Sequence, residues 1–266
     1  FKKDDDGELT WTLGMYGTQA MADDVGLSLE EYWQQIIDAC FLEEDDPIAK
    51  WKEVYAEMYD FRDKLNALRI ESVHVQWEDA DLHVQIGNKR LWKTGSGCNI
   101  PSFEIFTSPD WRGTNGWIRF NQPLYYNSNI IEGIQLWFED GIVVKSSATK
   151  NEALLKEMLA QENANKAGEY SLTDRRHSRI TKFMGETLYD ENVWGEFGNT
   201  HLAVGMSYKD CYDGETKSCP EELWEELGYN DSIVHTDIMS TTDRTVTATL
   251  PDGSQKVIYE KGQFTL

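Results

Sequence analysis

Apolar residues recur at intervals of three and four in the first quarter of the chain, which is the period of an amphipathic helix. Ser28 and Glu31 form a Ser-x-x-Glu capping box, so this pattern predicts a helix that begins there and ends near Phe41. Asp46 precedes Pro47, and a capping residue followed by proline at the first helical position predicts a second helix. We expect this second helix to be the longest of the chain.

From Glu71 the apolar residues alternate with polar ones, which is typical of strands with one buried face. The runs VHVQW, DLHVQI and RLW predict a β-meander, and Asp140-Gly141 between QLWFE and IVVKSS predicts a hairpin. Asn151 is placed to cap a later helix. Helices and strands come in blocks without strict β-α-β alternation. The pattern therefore predicts a mixed α+β fold with largely antiparallel sheets and packed helices.

Composition narrows the possible partners and the setting. The 266 residues contain 25 basic and 47 acidic side chains, a net charge of −22 that disfavours nucleic acid as a partner. Charges interrupt the apolar runs before the ~18 residues that a membrane span needs, so we expect no membrane partner. The four cysteines include no Cys-x-x-Cys pair and are too few for a disulfide framework, which favours a reducing, cytoplasmic setting.

The sequence lacks the common hydrolase motifs, so we consider its five histidines as candidate catalytic or metal-binding residues. His235 and Asp237 are two residues apart in an extended run, which places an imidazole and a carboxylate on one face of a strand. The pair could ligate a metal ion or form a hydrogen bond within a core. His201 and Tyr208 are seven apart, and they converge only if Gly205 supplies a bulge or turn.

The other three histidines carry weaker signals. His74 and His83 lie in the predicted meander, where a histidine with one hydrogen-bond partner is the common case, and we assign them no role. His177 lies in the basic run TDRRHSR, for which we predict ion pairs within the fold or across a dimer. Binding of a substrate carboxylate or carbonyl is the alternative for that run.

Six blocks of sequence, in this order, closely resemble the thermophilic-type metallo-aminopeptidases, the family of aminopeptidase T, aminopeptidase S and PepS. The blocks are NIPSFEIFTSP, IEGIQLWFEDGIVV, AGEYSL, LYDEN, GNTHLAVGMSY and NDSIVHTDI. The resemblance extends from about Trp11 to the end of the chain. It implies that the chain is the carboxy-terminal catalytic portion of a longer enzyme, with residues 1–95 as a helical segment and β-meander and residues 96–266 as the metal-binding catalytic domain.

The resemblance also implies a dinuclear metal centre with a bridging hydroxide. Its ligands, carried onto the matching motif positions, are Glu104, Glu169, His201, Tyr208, His235 and Asp237. Three carboxylates and a hydroxide balance two divalent cations, so such a centre is electrically plausible when buried. Glu169 is the simplest bridge between the ions. Oxygen and nitrogen ligands without a thiolate suit Zn, Co or Mn equally.

The activity that the resemblance implies is metal-dependent removal of the first residue from a peptide with a free amino terminus. Glu191 in LYDEN is expected to act as a catalytic, proton-transferring carboxylate, with Glu196 as the alternative. Tyr208 is expected either to ligate a metal or to hydrogen-bond the oxyanion. A metal-dependent amidase or dipeptidase and a non-catalytic metal-binding fragment are the alternative functions. The family further implies a homodimer.

Overall fold

A computed structural model of the protein describes residues 8–95, 97–217 and 219–266, so the first seven residues of the predicted segment 1–95 lie outside the described residues. Two longer helices and four shorter ones occur in these ranges. They are α1 (Gln19–Asp24), α2 (Leu29–Ala39), α3 (Pro47–Leu68), α4 (Glu152–Leu159), α5 (Thr187–Asp190) and α6 (Glu221–Glu226). Among the helices so described, none is long and apolar enough to cross a bilayer.

Most of the strands belong to two antiparallel sheets. In spatial order, the eight-stranded sheet contains β11 (Ile142–Ser147), β10 (Gln135–Glu139), β7 (Asn115–Arg119), β3 (Ala80–Gln85), β2 (Ser72–Trp77), β15 (Thr245–Thr249), β16 (Gln255–Glu260) and β17 (Gln263–Phe264). The five-stranded sheet contains β14 (His235–Ser240), β13 (Asn199–Gly205), β12 (Ala167–Thr173), β6 (Glu104–Thr107) and β4 (Lys93–Thr94). Strand pairing is antiparallel throughout both sheets.

Two short pairs complete the strands of the described residues. They are β8 (Leu124–Tyr126) with β9 (Asn129–Ile131), which is antiparallel, and β1 (Leu13–Gly14) with β5 (Asn99–Ile100), which is parallel. Helices α1, α2 and α3 precede most strands, and α5 and α6 each lie between two strands that pair antiparallel. The predicted α+β class with largely antiparallel sheets is confirmed.

The two large sheets pack face to face around the main hydrophobic core. Buried side chains of both sheets belong to one apolar cluster, among them Val75, Leu82 and Ile118 of the larger sheet and Leu172, Leu202 and Ile238 of the smaller one. Side chains alternate between the faces of a strand, so the residues between these core positions point away from the core. The outer face of the five-stranded sheet is therefore available for other chemistry.

The predicted helix starts are confirmed. In α2, the Ser28 Oγ accepts a hydrogen bond from the Glu31 N–H at 3.1 Å, and the Glu31 carboxylate accepts one from the Ser28 N–H at 2.9 Å. Asp46 caps α3, which begins at Pro47 and is the longest helix described. Apolar residues of α2 pack against α5, and those of α3 pack against Phe103 next to β6.

Two details of the sequence prediction are wrong. The run RLW is not a third meander strand, and the second neighbour of β3 is β7. The Arg90 side chain is buried and donates hydrogen bonds to the carbonyl oxygens of Ser108 and Leu227, which fixes this segment as a connection. Asn151 precedes α4, but it makes no capping hydrogen bond because its side-chain amide donates to the Ile130 carbonyl instead.

Strands from both sides of residue 95 share the eight-stranded sheet, since β2 and β3 lie between β7 and β15. The division of the chain into residues 1–95 and 96–266 stays a prediction.

The β10–β11 hairpin at Asp140-Gly141 is confirmed, with Gly141 at φ +79°.

Candidate metal centre

Five ionisable side chains meet on the outer face of the five-stranded sheet. Strand register places them there, because residues paired across antiparallel strands point to the same side. In the β13–β14 ladder Asp237 pairs with Ala203, and Ala203 also pairs with Glu169 across the β12–β13 ladder. His201 lies two residues before Ala203 and shares its face. The complete group is Glu104 on β6, Glu169 on β12, His201 on β13, and His235 and Asp237 on β14.

The side-chain atoms form two groups of three that share Glu169. In the first, the His201 Nε2 lies 3.3 Å from the Glu104 Oε2 and 3.3 Å from the Glu169 Oε1. In the second, the His235 Nε2 lies 3.3 Å from the Glu169 Oε2 and 3.5 Å from the Asp237 Oδ1. Ligand atoms bound tetrahedrally at zinc distances lie roughly 3.3–3.6 Å apart. In each group the distances from the histidine nitrogen to the carboxylates match this spacing, and one Glu169 oxygen lies in each group.

The orientation of His235 fits metal ligation. Its Nδ1 lies 2.8 Å from the Met206 carbonyl oxygen, which can only accept, so Nδ1 carries a proton. Its Nε2 is buried beside the Glu169 and Asp237 carboxylates, and neither of these contacts has the geometry of a hydrogen bond. Histidines that ligate metals commonly donate their other ring N–H to a backbone carbonyl in this way. A divalent ion would satisfy the free nitrogen.

Burial sets the protonation of the two acidic groups near β6 and α5. Burial raises the pKa of Glu104, against the lowering effect of its hydrogen bond to His201. Burial also raises the pKa of Glu191 well above its usual value, and the charges of Glu104 and Asp237 raise it further. Without cations, this pocket therefore favours carboxyl groups that keep their protons.

The imidazoles respond in the complementary way. Burial lowers the pKa of His201, but hydrogen bonds to Glu104 and Glu169 outweigh burial and hold the pKa well above its usual value. For His235, burial is likewise outweighed by Asp237 and Glu169, and the pKa is raised. Burial would raise the pKa of Asp237, but the charge of His235 lowers it overall. In the metal-free protein, protons thus supply the positive charge that these carboxylates require.

Glu191 and Glu196 occupy different environments. Glu191 follows α5, is buried, and lies close enough to Glu104 and Asp237 for their charges to shift its pKa. Glu196 is exposed, and its backbone carbonyl accepts a hydrogen bond from Arg175 at 3.1 Å. Glu191, but not Glu196, therefore lies near the five ionisable side chains.

Tyr208 also reaches the group. β13 ends at Gly205, whose φ of +103° is in the region that favours glycine, and the chain turns there. The Tyr208 ring lies 4.6 Å from the His235 ring, measured between centroids. Burial and the carboxylates, Glu169 first among them, raise the pKa of the phenol. In the absence of cations Tyr208 is therefore a protonated hydrogen-bond donor.

Three polar residues that hydrogen-bond to the acidic side chains of the site were not predicted from the sequence. The hydroxyls of Ser102 and Ser171 lie 3.5 Å and 3.4 Å from the two carboxylate oxygens of Glu104. The Asn192 side chain donates to Glu191 at 3.3 Å and accepts from the Phe103 N–H at 2.7 Å, which joins the Glu191 segment to β6. Each of these residues lies one or two positions from a predicted site residue, and this proximity in sequence is the feature by which they could have been predicted.

The basic run around His177 makes ion pairs within the fold, as one of its two predicted arrangements required. Arg176 binds the buried Asp174 carboxylate at 2.6 Å. The His177 Nε2 lies 3.4 Å from the Glu57 carboxylate, but burial lowers the pKa of His177, so the ion pairs of this run come from its arginines.

A buried set of carboxylates and imidazoles on the strands of an α+β fold has the oxygen and nitrogen donors that metal sites of hydrolases use. A family model described as thermophilic metalloprotease (M29) matches residues 1–264, and the chain belongs to that family. The resemblance found in the six sequence blocks is confirmed.

Curated relatives carry aminopeptidase names. The chain is 31% identical over 277 residues to aminopeptidase AmpS of Bacillus subtilis (strain 168), covering 97% of this chain and 66% of the relative. It is 32% identical over 250 residues to aminopeptidase PepS of Streptococcus thermophilus, covering 88% and 58%. The solved structure of wild-type AmpT from Thermus thermophilus superposes with a TM-score of 0.78 at 26% identity, covering 90% of this chain and 59% of that one. The chain thus spans about three fifths to two thirds of the length of these relatives.

The raised pKa values predict how the stability of the metal-free protein depends on pH. A group with a raised pKa in the folded state stabilises the fold below its unfolded pKa, and this stabilisation is lost as the pH rises through the folded pKa. The stabilisation that Glu104 and Glu191 provide begins to fall above pH 4.5, which is the ordinary pKa of a glutamate. The stabilisation from His201 and His235 begins to fall above pH 6.5, which is the ordinary pKa of a histidine. We expect the free energy of unfolding, measured by urea denaturation after chelation, to fall between about pH 6 and pH 9.

Glu191→Gln removes one of the raised carboxyl groups and is expected to make this pH slope shallower. Glu196→Gln, at the exposed glutamate of the same segment, is the matched control and is expected to leave the slope unchanged. A stability that rises over this range, or a slope that Glu191→Gln leaves unchanged, would contradict the assigned protonation.

Proposed function

We propose that this chain carries the catalytic centre of a metal-dependent aminopeptidase, which removes the first residue of peptides that have a free amino terminus. The observation that carries the proposal is the pair of buried three-residue groups that share Glu169. Two sets of ligands joined by one carboxylate are the arrangement that a two-metal hydrolytic site requires. The aminopeptidase names of the relatives support the choice of substrate.

In this proposal Glu104 and His201 would hold one divalent ion, His235 and Asp237 would hold the other, and Glu169 would be shared between them. Three carboxylates oppose four positive charges, and the remaining charge suits one bridging hydroxide. The ligand set of oxygen and nitrogen atoms accepts Zn, Co or Mn. When bound, the two ions would polarise the scissile carbonyl and activate a water molecule as the nucleophile.

Two side chains outside this ligand set are assigned to the reaction. Cations that neutralise Glu104 and Asp237 would remove the charges that raise the pKa of Glu191, and the ionised carboxylate would then accept a proton from the attacking water and deliver it to the leaving amine. Tyr208 donates a hydrogen bond to the carbonyl oxygen as negative charge develops there. Ligation of an ion by Tyr208 is the alternative role, since the His235 ring lies next to the phenol.

The ligand roles are tested by paired variants. His235→Ala deletes a nitrogen ligand, and we expect bound metal to be lost together with activity, the activity by at least about a hundredfold. Glu191→Gln is expected to lower kcat by about two to four orders of magnitude while bound metal is retained. Metal content per chain after dialysis and hydrolysis of leucine amide are measured on the same samples.

Glu196→Gln is the matched control for Glu191→Gln, and it is expected to retain both metal and turnover. Full metal content and turnover in His235→Ala would refute its assignment as a ligand. Loss of metal in Glu191→Gln would make that residue a ligand rather than a proton-transfer group.

Substrate termini separate the proposed activity from its alternatives. We expect hydrolysis of leucine amide and of a leucine-initiated tripeptide, no hydrolysis of the same compounds with acetylated amino groups, and loss of activity with a chelator. Equal rates on blocked and unblocked amides would indicate an amidase, and cleavage restricted to dipeptides would indicate a dipeptidase. Bound metal without turnover would indicate a non-catalytic metal-binding fragment.

The homodimer and the cytoplasmic setting stay predictions.

A further inference from the structure

A second cluster of metal-ligating side chains lies on the outer face of the eight-stranded sheet. His74 on β2 pairs directly with His83 on β3, and their rings are stacked with centroids 3.8 Å apart. Asp81 lies two residues before His83 on the same strand and therefore on the same face. Val75 and Leu82, which alternate with these residues along β2 and β3, belong to the hydrophobic core, so this face points away from the core.

The three side chains are close enough to share one ion. The His74 Nε2 lies 2.7 Å from the Asp81 Oδ1, and one nitrogen or oxygen atom of each residue lies within 4.8 Å of the other two. Ligand atoms around a zinc ion are roughly 3.3–3.6 Å apart. The 2.7 Å contact is a hydrogen bond and is shorter than this spacing, and the two histidine rings are nearly parallel, so an ion would bind only after the side chains rotate. The Asp81 side chain is 60% exposed and the His74 side chain 24% exposed, which leaves room for that rotation.

A hydrogen-bonded His-Asp pair accounts for His74 and Asp81 but not for His83. Within the residues that the structure describes, neither ring nitrogen of His83 has a hydrogen-bond partner, although its ring stacks on His74. Partial burial lowers the pKa of His83, and the neighbouring His74 lowers it further. A lowered pKa favours the neutral imidazole, which is the form that binds metal ions.

We propose that His74, Asp81 and His83 form a second, mononuclear site for a divalent transition-metal ion. Two imidazoles and one carboxylate favour Zn²⁺, Ni²⁺ or Cu²⁺ over Mg²⁺ and Ca²⁺. The three protein ligands lie on one side of the ion, and water completes the shell on the outward side. An ion held there links β2 to β3 in the middle of the sheet. This inference does not rest on the proposed function.

Nuclear magnetic resonance of the protein with ¹⁵N-labelled histidine tests the site, because the chain has only five histidines. The protein is titrated with Zn²⁺ at neutral pH, and its ring-nitrogen signals are assigned with single variants. We expect the His74 and His83 signals to shift together with one midpoint. We also expect the response of His74 to disappear in His83→Asn, and Asp81→Asn to weaken binding about tenfold or more.

Thr247→Ala is the matched control, since Thr247 pairs with His74 on β15 and offers no preferred ligand for these ions. It is expected to leave the titration unchanged. The proposal is overturned if His74 and His83 do not respond to a large excess of Zn²⁺, or if the His74 response survives His83→Asn. The signals of His201 and His235 report the candidate metal centre separately, so failure at either site is recognised independently.

Discussion

The need to neutralise buried carboxylates governs the structure around the five-stranded sheet. Glu104, Glu169, Glu191 and Asp237 are each less than a tenth exposed, and an isolated ionised carboxylate in such a place is strongly destabilising. Two imidazoles lie among them, and the raised pKa values of Glu104, Glu191 and His201 favour the binding of protons when no cation is bound. Divalent cations perform the same neutralisation with a higher charge. The affinity for divalent metal ions would therefore follow from the burial of these four carboxylates.

Strand register converts this requirement into a defined arrangement. The inner faces of β12 and β13 carry core residues such as Leu172 and Leu202, so their register against neighbouring strands cannot slip without exposing the core. Residues on the outer face of these strands have the same register, and this places Glu169 between His201 and His235. The hydrophobic core thus supplies the rigidity that a shared bridging ligand needs.

The sequence predicted features that depend on local chemistry better than features that depend on distant contacts. The caps at Ser28 and Asp46 are short-range interactions and were found in place. The run that contains Arg90 alternates like a strand, but contacts of its side chain with carbonyl groups far along the chain decide its conformation. Similarly, sequence distance favoured neither Glu191 nor Glu196 clearly, because their separation in space depends on packing against β6 and on the turn that follows α5.

The most direct test of the account is the position of metal ions in crystals grown with Co²⁺, located by anomalous diffraction at the cobalt absorption edge. The account predicts two peaks on the outer face of the five-stranded sheet, about 3.5–4 Å apart, with one next to each carboxylate oxygen of Glu169. A single peak in this group, or a fully loaded protein in which Glu169 touches neither ion, would contradict it.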